Sequence, residues 1–416
     1  MAFTDEQVML TLAGLTYRGF ADPWAVAGHA ARVRAAVEAG LRDLTPVREE
    51  WDLVWGPATG HDPPEFVDSS MMFVVRHRRD PARHVVAVRG TNPISLADWS
   101  FGDFWVDTTV PWPWAPPPAR ASVSASTAVG LSVLQSMAWR APGTTAVVPA
   151  SLAAFVAGSL RRVGAAVSDL EAPLVTLREC LRDEVVRLVK TWQDKVSGRS
   201  GPESVVRFAG AARHRLPVIH RRPPGGADEE TDLLAFLTSS AERVGTALDV
   251  TVTGHSKGGA LAQAVALWLR EALDVPDERW DAGRGAGVAC HAFAGPTPGN
   301  AAFARRVEAR LGAAHHHTRN RHDIVTHAWQ IDELGDVPKL YGDRTAPFRP
   351  IVEAIVAGVT PLDYRQVRAG VREFAGPLRP ESRSFAEEFI HQHLDAYLRD
   401  LGLDAFGIDA LTLFLG

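Results

Sequence analysis

The stretch LDVTVTGHSKGGALAQAVALWL, residues 248–269, changes character at its middle. Val250 to Thr253 are all β-branched and alternate valine with threonine, the composition of a buried strand. Ala260, Leu261, Ala264, Val265 and Trp268 then recur at helical spacing. Between the two runs lie Gly254, His255, Ser256, Lys257, Gly258 and Gly259. Glycines on both sides of a serine let the backbone take a strained turn that lifts its Oγ clear of a sheet. The helix that follows aims its unsatisfied N–H groups at whatever that oxygen attacks. Gly254, Ser256 and Gly258 therefore read as a G-x-S-x-G nucleophile elbow in the strand–turn–helix setting it requires. The plainer alternative is a glycine-rich crossover with a passenger serine.

The rest of the chain bounds what such a serine serves. At 416 residues, with 46% apolar and 22% charged residues, the chain is long enough for one large α/β domain with a sizeable core. A net charge of −5 gives no basic footprint, so nucleic acid is not an expected partner. Two cysteines, Cys180 and Cys290, make no disulfide framework and read as free thiols. The opening MAFTDEQVML carries acids where a secretion signal carries basic residues, which points to a cytoplasmic protein. TAVVPASLAAFVAGSL (145–160) is the most membrane-like run, but it is short, holds Pro149 and is closed by Arg161 and Arg162.

Strands and helices alternate along most of the chain. Residues 5–17 read as an amphipathic helix and 26–43 as a second one. SMMFVVRHR (70–78), RHVVAVRGT (83–91), LDVTVTG and GVACHAFAG (287–295) read as strands. That alternation predicts a mostly parallel sheet with helices on both faces. PTPGNAAFARRVEARLG adds a helix capped by Asn300 and stopped near Gly312. HHHTRNRHDIV supplies a further strand end, and HLDAYLRDLG a late helix with a glycine stop. Residues 111–245 show no convincing strand and read as a predominantly helical insertion within one 1–416 domain. It opens with the proline-rich loop PWPWAPPPA (111–119), which carries Trp112 and Trp114. Apolar 150–168 and charged 171–196 are its predicted helices, and another follows at 231–246.

A serine hydroxyl needs an adjacent base, usually a histidine held by a carboxylate. In hydrolases with this elbow the chain order is Ser, then Asp or Glu, then His. Asp323 follows a possible strand and precedes an apolar pair; Asp332 and Asp336 stand less well, in a polar loop. FIHQHLDAYL offers His391 and His393, of which His393 is favoured because it directly precedes the helical run, on a loop-to-helix corner. Two donors must meet the developing oxyanion. The backbone N–H of Lys257 supplies one, and the loop at Gly90 and Thr91 is placed to supply the other. His315 to His317 and His322 read as a solvated loop rather than a metal site, and no cofactor or metal is expected.

With these pieces in order, the chain resembles the class 3 (fungal-type) lipases of the α/β-hydrolase superfamily. VVAVRGTNPISLADW, VTGHSKGGALA, FAGPTPGNAAFARRVE, NRHDIVTH and HLDAYL carry the resemblance, over roughly residues 1–110 and 246–400. It implies Ser256 as nucleophile, Asp323 as triad acid, His393 or His391 as base, and Thr91 and Lys257 as oxyanion donors. It also implies a short lid at about 92–106, with Ile94, Trp99, Phe101, Phe104 and Trp105 as its apolar residues. Three departures stand out. Lys257 replaces the usual apolar residue after the serine, the histidine is offset from the common spacing to the helix tyrosine, and the insertion replaces a short connection. A lysine in the first turn opposes the helix dipole, so it either runs its stem along apolar surface or meets an anion.

The implied activity is a serine hydrolase of acylglycerol or related lipid esters, with a lipid or small-molecule ester as substrate and peripheral contact with a lipid interface. A phospholipase A-type or membrane-acting enzyme keeps the chemistry and changes the substrate. A catalytically idle scaffold that binds a partner through the insertion is the alternative of another class.

Overall fold

The computed structural model describes residues 3–18, 29–62, 67–91, 106–116, 119–139, 231–382 and 384–415. Its centre is a seven-stranded sheet. In chain order the strands are β1 (Trp51–Asp62), β2 (Val67–His77) and β3 (Arg83–Val88), then, beyond four very short strands, β8 (Asp249–His255), β9 (Gly287–Phe293), β10 (His315–Asn320) and β11 (Val371–Phe374). The spatial order is β1-β2-β3-β8-β9-β10-β11. The two pairings among β1, β2 and β3 are antiparallel, and every pairing from β3 to β11 is parallel. The elbow strand β8 thus sits at the middle of the sheet, between β3 and β9.

Side-chain alternation divides the sheet between two apolar layers. Met72 and Val74 of β2, with Val86 and Val88 of β3, enter one core; Met71, Phe73 and Val75, with Val85 and Ala87, enter the other. This is the two-sided burial that a crossover sheet demands. The first layer holds α3 (Ala125–Ser136), α4 (Leu233–Val244), α5 (Lys257–Ala272) and α6 (Ala301–Leu311). Asn300 caps α6 by accepting from Phe303 N–H, and the helix ends at Gly312 with φ 52°. The second layer holds α1 (Asp5–Leu15), α2 (His29–Asp43) and the C-terminal segment. A capping box between Thr4 and Gln7 starts α1.

Four expectations from the sequence are corrected here. α1 is not amphipathic: every residue from Val8 to Leu15 is buried. A Cβ on Gly14 would lie 2.3 Å from Leu413 Cγ, so the C-terminal segment covers its outer side. β1 was not predicted; Gly56, Pro57 and Gly60 interrupt its alternation, and the pairing with β2 shifts register at three points.

The third correction concerns the insertion. Described residues from Val110 to Met137 and from Leu233 to Ala241 contribute side chains to the core, with short strands β4 (Thr109–Pro111), β5 (Ser122–Ser124), β6 (Ala138–Trp139) and β7 (Thr231–Asp232) where none was expected. Trp112 and Trp114 are buried, and their indole N–H groups donate to Glu271 Oε2 (2.6 Å) and Glu278 Oε2 (2.7 Å). They tie this segment to α5 and the loop after it. Of α2 the described part begins at His29, and the predicted helices 150–168 and 171–196 and Cys180 lie outside the described residues. No helix among the described residues is long and apolar enough to cross a membrane. Cys290 is free and buried, and burial pushes its thiol pKa far up.

The fourth correction concerns the histidines. His315 and His317 are not in a solvated loop but point from β10 into fully buried positions. His317 Nε2 accepts from Gly295 N–H (3.2 Å), and His315 Nδ1 donates to Ala369 O (2.7 Å). No group of three or more metal-ligating side chains occurs among the described residues. Burial lowers the pKa of His84, His255, His315 and His317, and pushes that of His291, beside His316, down to about 4.

These shifts set the sign of the pH dependence. Below the unfolded value of 6.5 the unfolded chain takes up protons that the folded chain refuses, so stability is full above pH 6.5 and falls as the pH drops toward 4. We expect a lower Tm at about pH 5 than at about pH 7.5, a window above the carboxylate range. His291→Asn should narrow that gap. A thermal-melt series with the same gap in both proteins would remove His291 from the account.

Candidate active site

β8 ends at His255, and the next residue, Ser256, stands at φ 61° and ψ −132° before α5 begins at Lys257. Positive φ is costly for a side chain with a Cβ. Three backbone bonds hold it: Ser256 N–H donates to Phe293 O (2.9 Å), and Gly259 N–H (2.8 Å) and Ala260 N–H (3.4 Å) donate to Ser256 O. The glycines of the elbow are required by close approach. A Cβ on Gly258 would lie 2.5 Å from Val88 O and 2.8 Å from Gly90 N. A Cβ on Gly90 would lie 2.5 Å from His255 O and 3.1 Å from Ser256 Cβ. The loop carrying Gly90 and Thr91 therefore lies against the serine, as the sequence predicts. Lys257 is the first residue of α5, so its N–H belongs to the helix N-terminus beside the Ser256 hydroxyl. Lys257 as a whole is largely buried, 7% exposed.

The acid follows the end of β10, and the base comes from the C-terminal helical segment. Asp323 is fully buried and caps the short helical turn Ile324–His327, accepting from Val325 N–H through Oδ1 (3.0 Å). That leaves Oδ2 for two donors, His393 Nδ1 at 2.8 Å and the Tyr397 hydroxyl at 2.9 Å. A carboxylate only accepts, so Nδ1 carries the imidazole proton and Nε2 faces the serine as an acceptor. His393 Nε2 lies 2.9 Å from Ser256 Oγ. Burial first, and then the Asp323 charge, keep the Tyr397 hydroxyl well above its usual pKa, so it remains a donor. It also accepts from Asn320 N–H (3.0 Å).

His391 plays no part in this line. It is fully buried, its ring nitrogens have no hydrogen-bond partner among the described residues, and Nδ1 lies 3.6 Å from Asp395 Oδ2. Nor is there a loop-to-helix corner. A continuous helical run joins α7 (Phe385–Ile390) through a π-helical turn (His391–Asp395) to α8 (Ala396–Asp400). Two positions apart on a helix, the two histidines point to different faces. Asp332 and Asp336 are exposed, and Asp336 pairs with Lys339.

Tyr397 and Asn320 are the site residues the sequence reading missed. The signal was present as a tyrosine four residues after His393, but its contact with Asp323 depends on the π-helical turn. The lid candidates Ile94, Trp99, Phe101, Phe104 and Trp105 lie outside the described residues.

Comparison with known proteins finds lipases. Residues 229–333 match the sequence profile of Lipase (class 3), a span that contains the elbow and Asp323. The crystal structure of M37 lipase is 25% identical, with a TM-score of 0.68 over 99% of this chain and 98% of that one. Lipase II from Rhizopus niveus is 14% identical, with a TM-score of 0.35 over 79% of this chain and 75% of its own. A triacylglycerol lipase from Penicillium expansum is 11% identical, with a TM-score of 0.34 over 90% and 82%. No curated protein sequence matches the chain.

The geometry predicts which side chains make the serine reactive. A fluorophosphonate probe should label the wild-type chain at Ser256, and Ser256→Ala and His393→Ala should abolish labelling. His391→Phe should label at close to the wild-type rate. Loss of labelling in that last variant alone would transfer the base to His391.

Proposed function

We infer that this chain, built on the class 3 lipase core, is a serine hydrolase that cleaves carboxylic esters of acylglycerols or related lipids through an acyl-enzyme on Ser256. The observation that carries the reading is the unbroken line from Ser256 Oγ through the His393 imidazole to Asp323, with steps of 2.9 and 2.8 Å.

In this reading Ser256 Oγ attacks the ester carbonyl carbon while His393 Nε2 takes the hydroxyl proton. The carbonyl oxygen becomes an oxyanion, received by the N–H groups of Lys257 and Thr91 at the helix start and the neighbouring loop. Asp323 keeps the imidazole in the Nδ1–H tautomer and offsets its positive charge once Nε2 is protonated. The intermediate collapses, the C–O bond to the alcohol breaks, and His393 gives its proton to the leaving oxygen. Water then repeats the sequence: His393 takes its proton, the hydroxide attacks the acyl carbon, and Ser256 recovers its hydrogen as the acid departs. No step calls for a metal or cofactor.

An idle scaffold does not account for what is assembled here. A buried aspartate, a doubly bonded imidazole and a serine held at positive φ are costly features unless they act together. Contact with a lipid interface belongs to the same proposal, since acylglycerols present their esters at one.

A panel of p-nitrophenyl esters, emulsified triglyceride and phospholipid vesicles tests the reading. The neutral esters should be hydrolysed, and Asp323→Asn should fold normally with kcat lowered on the order of 10⁴-fold. A correctly folded wild-type chain inert to every ester, or an Asp323→Asn variant at wild-type rate, would contradict it.

A further inference from the structure

Nucleophile and base come from elements far apart in sequence, the β8–α5 elbow and the C-terminal helix. One side chain ties the two directly. His255, the residue before the nucleophile, is fully buried, and its Nε2 lies 2.8 Å from the backbone carbonyl of His393. A carbonyl only accepts, so Nε2 carries the proton and donates it. The other ring nitrogen, Nδ1, is then the acceptor, with the Tyr17 hydroxyl 3.4 Å from it and 3.2 Å from the His255 carbonyl. The two imidazoles lie with centroids 4.7 Å apart. Burial, and then the neighbouring His393, drive the pKa of His255 well down, so the ring stays neutral beside a base that becomes charged during turnover.

The backbone receiving this bond is itself unusual. His393 stands in the π-helical turn, where Ala396 N–H bonds back to His391 O. Two successive carbonyls of the turn accept from side chains outside the helix: Gln392 O from Asn320 Nδ2 (2.8 Å), and His393 O from His255 Nε2. π turns are local and rare, and they persist where surrounding contacts favour them. Asn320 lies at the end of β10 and His255 at the end of β8, so the ends of two parallel strands grip one helical turn.

We propose that His255 is a positioning residue: its Nε2–H bond to the His393 carbonyl sets the distance between the base and Ser256, independently of the pull of Asp323. Asp323 fixes the ring's tautomer and rotation, whereas His255 fixes where the backbone carrying that ring stands. The proposal rests on the ester-hydrolase reading for its rate measurements and on the contact alone for its spectroscopic one.

Two substitutions of similar polarity separate positioning from packing. The amide nitrogen of glutamine reaches the place of Nε2, whereas that of asparagine stops near Nδ1. His255→Gln should keep most of the wild-type kcat. His255→Asn should lower kcat about a hundredfold, the scale of a 1 Å misplacement, with KM unchanged. His255→Met, which fills the space without a donor, should behave as the asparagine variant does and serves if that one fails to fold. The low-field proton resonance of His393 Nδ1–H against Asp323 gives a reading free of turnover. It should be sharp in wild type and in His255→Gln, and broadened in His255→Asn or His255→Met.

Equal kcat and equal resonances in the glutamine and asparagine variants would overturn the positioning role. So would a wild-type rate in His255→Met. A wild-type chain that turns over no ester, yet shows the expected pattern of resonances, would contradict the hydrolase reading and leave the positioning contact standing.

Discussion

Ser256 at φ 61° and ψ −132° is the constraint from which the rest follows. A residue with a side chain occupies such a conformation at a cost of about 1–3 kcal/mol, and only where its surroundings over-determine it. Here they do so from three directions. β9 supplies the Phe293 carbonyl to Ser256 N–H, the first turn of α5 bonds back to Ser256 O, and the end of β3 closes in at Gly90. None of these contacts survives a shift of β8 out of the centre of the sheet. The central position of β8, the absence of Cβ atoms at Gly258 and Gly90, and the start of α5 are thus parts of one solution. The strain is sustained by the parallel core, and it holds the hydroxyl where a base can reach it.

The base is placed with equal economy of freedom, through Asn320. Its side-chain amide donates to Gln392 O and Gln392 Oε1, and its Oδ1 accepts from His322 N–H and Gly376 N–H. Its backbone N–H meets Tyr397, and its carbonyl accepts from Asp323 N–H. One buried residue therefore joins the acid loop, the loop after β11 and the helix that carries the base. A buried polar network in which every member has its partners holds a single geometry, whereas one with a member missing would cost more than an apolar replacement. The acid, in turn, divides its two oxygens between holding its own turn and holding the imidazole.

What was legible in the sequence was what is local. The elbow, the strand before it and the helix after it are written in consecutive residues, so Ser256 and both flanking elements were found at once. The caps at Asn300 and Gly312 and the turn residue Asp323 follow from short-range chemistry in the same way. What was not legible depends on distant partners. The proline-rich loop does not say where its two tryptophans go; Glu271 and Glu278, far along the chain, bring their indoles inside. β1 escaped notice because its bulges break the period of two by which strands are recognised. His391 and His393 precede the same helical run, and sequence spacing favours His393 on the strength of a loop-to-helix corner where the structure has a continuous helical run. The π turn, held by Asn320 and His255, decides which histidine faces Ser256. The histidines of β10 read as a solvated loop because no second spaced set of ligands accompanies them, whereas a strand sends alternate members inward.

The central claim is a covalent acyl intermediate on Ser256, and trapping it is the most direct test. Wild-type protein mixed with a slowly deacylating p-nitrophenyl ester, quenched in acid during the burst and digested, can be read by mass spectrometry. The account predicts one peptide heavier by the acyl group, the peptide containing Ser256, with the adduct on that side chain and absent from Ser256→Ala. Ester hydrolysis with no adduct on that peptide, or with the acyl group on another residue, would contradict it.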